Sequence, residues 1–295
     1  MLVYKAKTKE EALGFLNKYK DKDCKVINGG TDLILKIKDK KINPDVLIDI
    51  SGIRELKNIK EGNDYLFIGS GVNFTEIVDN NLFDNNLKGL KYACSLIGSP
   101  QIRNRGTIGG NIINASPAAD SVPPLLCLDS SVIIESKEGK RELKLEDLYK
   151  NKSQLWLRKD ELLTEIKFKK PEGYLSFRKI GARKAITISK LSISTLVFLT
   201  NDNIIKDIRI SSGALARLPI RELEVEKYLL GKKFTEKNID VAINILQDSI
   251  KNRLYSEPEE VLKREIVFLP YKRSAVKKIL REVLYESINK GEVIA

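Results

Sequence analysis

Residues 97–129 read IGSPQIRNRGTIGGNIINASPAADSVPPLLCLD, and they decide the fold. In a chain of 295 residues with 52 Lys plus Arg, this stretch is poor in charge and rich in Gly, Asn, Ser, Pro and Ala. It contains one glycine loop, Gly106-Thr107-Ile108-Gly109-Gly110-Asn111, where Ile108 offers an apolar contact inside a polar turn. A second loop, Asn28-Gly29-Gly30-Thr31-Asp32, directly follows a predicted strand at Lys25 to Ile27, and Thr31 adds a hydroxyl donor ahead of a helix dipole. Residues without Cβ adopt positive φ and leave several backbone N–H groups aimed into one concavity, which suits phosphate oxygens. Taken singly, each loop is better explained as an ordinary tight turn than as a phosphate cradle. Asn114 to Asp120 is built of small residues that let a large flat ligand reach the backbone. Asp120 reads either as an acceptor for sugar or ribityl hydroxyls or as the cap of a helix starting near Val122.

The N-terminus predicts a strand at Leu2 to Tyr4 and a capping box of Thr8 with Glu11. A helix bearing Ala12, Leu13, Phe15, Leu16 and Tyr19 follows, then strands at Lys25 to Ile27 and Val46 to Ile50. Ser51-Gly52 is a natural joint. A second unit takes in a strand at Tyr65 to Ile68, helices near Phe74 to Val78 and Leu87 to Ile97, and strands at Ser131 to Glu135 and Glu165 to Phe168. Beyond residue 172 the character changes to strands at Leu175 to Ile180, Ile186 to Leu199 and Ile204 to Ile210, with a turn at Asn201-Asp202-Asn203. Helices at Pro219 to Leu230 and Ile239 to Ile250 follow, and a last one carries Val276, Ile279, Leu280, Val283 and Leu284 on one face.

Composition excludes much chemistry. There is no histidine, which removes Ser-His-Asp and Cys-His nucleophiles, His-ligated zinc sites and a flavin tethered through imidazole. Cys24, Cys94 and Cys127 have no CxxC spacing, so no metal site or iron–sulfur cluster is expected in this chain, and the thiols are expected reduced and mostly buried. The net charge of +12 is spread over scattered lysines without a docking motif, so no nucleic-acid partner is expected. With neither an apolar signal region nor a run of roughly 18 apolar residues, a cytoplasmic chain without a membrane partner is expected. Gly69-Ser70-Gly71 lacks the third glycine of a dinucleotide fingerprint, Phe74 standing in its place, and reads as a structural turn.

VINGGTDLILKIK at 26–38 together with residues 97–129 resembles the FAD-binding (medium) subunit of the molybdenum hydroxylases, the family of xanthine, carbon monoxide and nicotinate dehydrogenases. FRKIGARKAITISKLSIS at 177–194 and YKRSAVKKILREVL at 271–284 extend the resemblance into the C-terminal part. It implies an α+β fold: a two-subdomain FAD-binding domain of the vanillyl-alcohol-oxidase (PCMH) type over 1–172, with subdomains of about 1–52 and 53–172. A C-terminal α+β flavoprotein domain over 173–295 completes it. By the same resemblance FAD is held non-covalently by Val26, Ile27, Asn28, Gly29, Gly30, Thr31, Asp32 and Leu33, and by Thr107, Ile108, Gly109, Gly110 and Asn111. Gly98, Asp120, Leu163 and Lys179 match further cofactor-touching positions. Asn28 departs from the small apolar residue of many relatives. Also implied are a large molybdopterin subunit, a small 2Fe-2S subunit and a diffusible acceptor such as NAD+. No catalytic acid or base is needed for flavin electron transfer. The rivals are a self-contained flavin oxidase and a basic scaffold without flavin.

Overall fold

The structure, a computed structural model, describes residues 1–149, 155–183 and 186–289. Residues 184 and 185 of the quoted segment 177–194, and residues 290–295 of the expected C-terminal domain, lie outside this set. The chain forms two compact units: Met1–Asp79, Ile97–Ala115 and Asp129–Lys170 make the first, and Asn80–Leu96, Ser116–Leu128 and Pro171–Ala295 the second.

In the first unit, β1 (Leu2–Lys5), β2 (Cys24–Ile27) and β3 (Val46–Asp49) form a parallel sheet in the order β1-β3-β2. Helix Lys9–Lys18 connects β1 to β2 and buries Ala12, Leu13 and Leu16 in one core with Val46 and Ile48. Thr8 caps this helix by accepting from the Glu11 N–H at 3.2 Å, but Glu11 reaches back to the Lys7 N–H rather than to Thr8. The reciprocal box instead forms at Asn73 and Glu76, opening helix Phe74–Val78.

The same unit contains an antiparallel sheet of β4 (Ile59–Gly62), β5 (Tyr65–Gly69), β6 (Ser131–Ser136), β7 (Gly139–Lys144) and β8 (Leu162–Lys169), ordered β4-β5-β8-β6-β7. The edge strands β4 and β7 were not expected. Both are mostly exposed and rich in charge, so hairpin pairing rather than an apolar face specifies them. The long excursion from β5 to β6 carries residues 97–129.

The second unit is built on an antiparallel meander of β9 (Leu175–Gly181), β10 (Ser189–Leu199), β11 (Ile205–Gly213) and β12 (Ile220–Arg221). Leu191, Ile193 and Val197 of β10 enter a core with Ile239, Ile243, Leu246 and Ile250 of helix Glu236–Tyr255. All five apolar residues read onto one face of the last helix, Leu269–Ile288, are buried there. The expected helix at 219–230 begins later: Ile220 and Arg221 pair with β11, and the helix runs Leu223–Leu229. Glu222, buried at that junction, accepts from Arg253 at 3.0 Å and from the Ser212 hydroxyl, which pins the strand-to-helix change.

Two segments from the N-terminal half belong to this meander. Helix Lys88–Ser95 lies so close to β9 that a Cβ on Gly89 would stand 2.5 Å from Leu175 O. Helix Val122–Cys127 places the Cys127 Sγ 3.2 Å from Ser194 O and 3.0 Å from the Ser211 hydroxyl. Cys94 and Cys127 are fully buried, which pushes the Cys127 thiol up to about 11 and Cys94 higher, whereas Cys24 is half-buried. Among the described residues, no helix is long and apolar enough to cross a membrane.

Candidate functional site

A cavity of about 530 Å³ opens in the first unit where the two glycine segments converge. The first follows β2 and turns at Gly30, whose φ is +74°. At Gly29 the constraint is proximity: a Cβ would stand 1.9 Å from Arg105 O and 2.7 Å from the Arg105 carbonyl carbon. Backbone therefore lies directly on backbone, joining the first loop to the residues that lead into Thr107.

The second segment differs from its expected form. Gly109 and Gly110 do not have positive φ, because both lie in helix Ile108–Asn114, capped by Thr107 accepting from the Gly110 N–H at 3.1 Å. Gly109 is instead a contact glycine: its N–H donates to Ser70 O at 3.0 Å, and a Cβ would come within 2.6 Å of that oxygen. Among the described residues, a Cβ on Gly110 would meet the Thr107 hydroxyl alone, at 2.9 Å.

Val26, Ile27, Asn28, Gly29, Gly30, Thr31, Asp32, Leu33, Thr107, Gly109, Gly110, Asn111 and Leu163 all line this cavity. Four residues expected with them, Ile108, Gly98, Asp120 and Lys179, do not. Ile108 is fully buried in the core, with its N–H bonded to Val72 O, and Gly98 (φ +52°) packs over Ile102. The amide of Asn28 sits against Gly71, where a Cβ would come 3.1 Å from its Nδ2.

Asp120 and Lys179 belong to the second unit, where they form a buried ion pair at 2.7 Å, with side chains 5% and 7% exposed. Lys179 Nζ also donates to Leu96 O and Thr187 O, while Ser189 donates to the other Asp120 oxygen at 2.5 Å. Burial pushes the Asp120 carboxyl above the usual carboxylate range, against the pull of Lys179 and Ser189. Asp120 is no helix cap: the residue at the start of helix Val122–Cys127 is Ser121.

Sequence reading missed several lining residues, among them Ser70, Phe74, Ile97, Ile102 and Lys36, whereas Asn114, from the segment read as open to a flat ligand, does line it. Gly69 and Gly71 do serve a structural turn, since each would place a Cβ within 3.0 Å of Leu56 O. Ser70 between them was hidden by that reading. Among the described residues its buried hydroxyl has no hydrogen-bond partner, although Ser70 N–H and C=O are both bonded, to Thr164 O and the Gly109 N–H. An orphaned hydroxyl at a cavity wall fits a site that gains a polar ligand. Ser70→Ala is accordingly expected to leave the ligand-free chain unchanged or about 1 kcal/mol more stable while weakening FAD binding. Parallel melts and FAD titrations check both halves.

The lining charges favour an anion. Four basic residues, Lys25, Lys36, Arg158 and Lys159, face two acidic ones, Asp32 and Glu161. Burial opposes the Glu161 charge, but Arg141 at 2.8 Å and the Arg158 N–H at 2.7 Å hold its carboxyl below the usual range. That carboxylate is thus neutralised locally. A glycine cradle, an unsatisfied hydroxyl, an apolar wall of Phe74, Ile97 and Ile102 and a basic lining together fit a dinucleotide with a pyrophosphate.

Comparison with known proteins agrees. Residues 1–170 match the FAD binding domain in molybdopterin dehydrogenase, and residues 176–259 match the CO dehydrogenase flavoprotein C-terminal domain. The nicotinate dehydrogenase FAD-subunit of Eubacterium barkeri is 34% identical over 266 residues, covering 88% of this chain and 90% of that one. The glyceraldehyde dehydrogenase medium chain of Sulfolobus acidocaldarius is 31% identical, with coverages of 82% and 85%. In fold, the chain is similar to a solved carbon monoxide dehydrogenase chain from Hydrogenophaga pseudoflava (TM-score 0.87, 24% identity, 98% of each chain). The chain therefore belongs to the FAD-binding medium subunits of the xanthine dehydrogenase-like molybdenum hydroxylases, a family of oxidoreductase flavoproteins.

Proposed function

We propose that this chain is the electron-transfer flavoprotein of a three-part molybdenum hydroxylase, in which FAD takes electrons from iron–sulfur clusters on a small partner and yields them to a diffusible acceptor such as NAD+. The observation that carries the reading is the convergence of both glycine segments on one basic, partly apolar cavity. Within it, the loop at Asn28 to Thr31 would hold the pyrophosphate through backbone N–H groups, the segment Thr107 to Asn111, whose N–H groups from Ile108 to Asn111 are bonded within the protein, would pack small residues against the cofactor, and Leu163 would give an apolar contact. Gly98, Asp120 and Lys179 are proposed as further cofactor positions on the family resemblance, and Ile108 as the core residue that seats the second segment. We read the domains as 1–172 and 173–295 along the chain. A cytoplasmic setting accords with three free cysteines.

The chain has no histidine and three cysteines far apart in sequence, so its ligand supply for a cluster or molybdenum centre is poor. A large molybdopterin subunit and a small 2Fe-2S subunit are therefore assigned to partner chains. The purified single chain is expected to show flavin bands near one FAD per chain, iron far below one per chain, and dye reduction by NADH without substrate oxidation. Stoichiometric iron, or oxidation of an organic substrate by the chain alone, would instead favour a self-contained flavin oxidase. Absence of flavin bands after reconstitution with FAD would overturn the flavoprotein reading altogether.

A further inference from the structure

We propose that Lys36 is a bridge at the rim of the cavity, tying the two glycine segments together and supplying charge to the pyrophosphate; the proposal rests on the FAD reading above. Lys36 stands on helix Leu33–Lys38, immediately after the first glycine loop, and Asn114 ends helix Ile108–Asn114, which carries the second. Lys36 Nζ donates to Asn114 Oδ1 at 2.7 Å, and both residues line the cavity.

Two features give this contact more weight than an ordinary surface lysine has. Helix Leu33–Lys38 has no buried residue, so little apolar packing holds it, and a side-chain tie to the opposite segment is a substantial part of its anchorage. The charge of Lys36 is also uncancelled by its partner. Lys25 pairs with Asp23, and Arg158 with Asp160 and Glu161, whereas the Asn114 partner is a neutral amide. An ammonium has three N–H groups. Asn114 takes one, which leaves two for phosphate oxygens without breaking the bridge.

The test compares the full-length chain with Lys36→Met, Lys36→Arg, Asn114→Ala and Lys159→Met, the last removing equal charge from the same cavity lining. FAD, ADP and riboflavin are titrated into flavin-free protein at several salt concentrations. Lys36→Met is expected to weaken FAD and ADP roughly three- to tenfold, as for loss of a partly solvated charge-assisted hydrogen bond, and to leave riboflavin unchanged. It should also flatten the salt dependence of FAD binding, while Lys36→Arg keeps most of the affinity. Asn114→Ala should cost less than Lys36→Met, because the charge survives without its anchor. Equal losses in Lys36→Met and Lys159→Met would overturn the bridge in favour of a general field. So would a loss shared by riboflavin, or no loss at all. A wild-type chain that binds no FAD would fail the functional reading itself, a result separate from any of these.

Discussion

Lys179→Met is expected to lower the free energy of unfolding by about 3–5 kcal/mol, the usual consequence of stranding one member of a buried ion pair. Lys179 and Asp120 are both nearly inaccessible, and with the ammonium gone Asp120 keeps only the Ser189 hydroxyl among the bonds described. The pH dependence gives the sign. Burial already raises the Asp120 carboxyl in the folded chain, and removing Lys179 takes away the main opposing pull. A carboxyl raised on folding binds its proton more tightly in the native state. Its stabilising contribution is complete below the unfolded value and is lost as pH rises through the folded one. The deficit of Lys179→Met relative to wild type should therefore be smallest in acid and grow towards neutrality. Denaturant unfolding at several pH values checks this, and Lys179→Met with Asp120→Asn should recover much of the loss at neutral pH. A deficit under 1 kcal/mol, or one independent of pH, would show that the pair contributes nothing beyond packing.

Gly29→Ala is expected to abolish stable flavin binding. The new methyl group would stand 1.9 Å from Arg105 O, whereas relaxed carbon–oxygen contacts need well over 3 Å. The loop and the Arg105–Gly106 backbone must then separate by roughly 1.5 Å, at a cost of about 1–3 kcal/mol. Since that contact joins the two cradle segments, FAD occupancy should fall to below about a tenth of wild type while the far-UV circular dichroism persists. Gly14→Ala is the control. Among the described residues nothing lies within 4 Å of its Cβ position in helix Lys9–Lys18, so it should raise stability by about 0.5–1 kcal/mol and keep full flavin. Normal occupancy in Gly29→Ala would remove the Gly29–Arg105 contact from the site.

The glycine segments were legible because two short patterns in a lysine-rich chain are conspicuous, and strands such as Tyr65 to Ile68 or Ser131 to Glu135 announce themselves by apolar runs. What stayed hidden was long-range. Gly109 looks like a residue chosen for positive φ, yet it is helical and small because Ser70 lies against it. Nothing local marks Ser70 as cavity-lining, since its contact with Gly109 crosses nearly forty positions of sequence. Asp120 likewise has a plausible local role as a cap, but its actual partners come from β9 and β10. The edge strands β4 and β7 escaped for the opposite reason: they bury almost nothing, so they leave no hydrophobic period to read.

The interleaving of the two units has a consequence for how the molecule is made. Asn80–Leu96 and Ser116–Leu128 leave the ribosome well before the meander that covers them, whose first strand starts at Leu175. During that interval Leu90, Ala93, Val122, Leu125, Leu126 and Leu128, all buried in the finished protein, have no sheet to rest on. Such a nascent chain is a natural client for chaperones, and a fragment truncated near residue 172 would retain this greasy surface permanently. Slow translation over the C-terminal codons would prolong the exposure, so yield in expression should depend on how quickly the last third of the polypeptide is delivered.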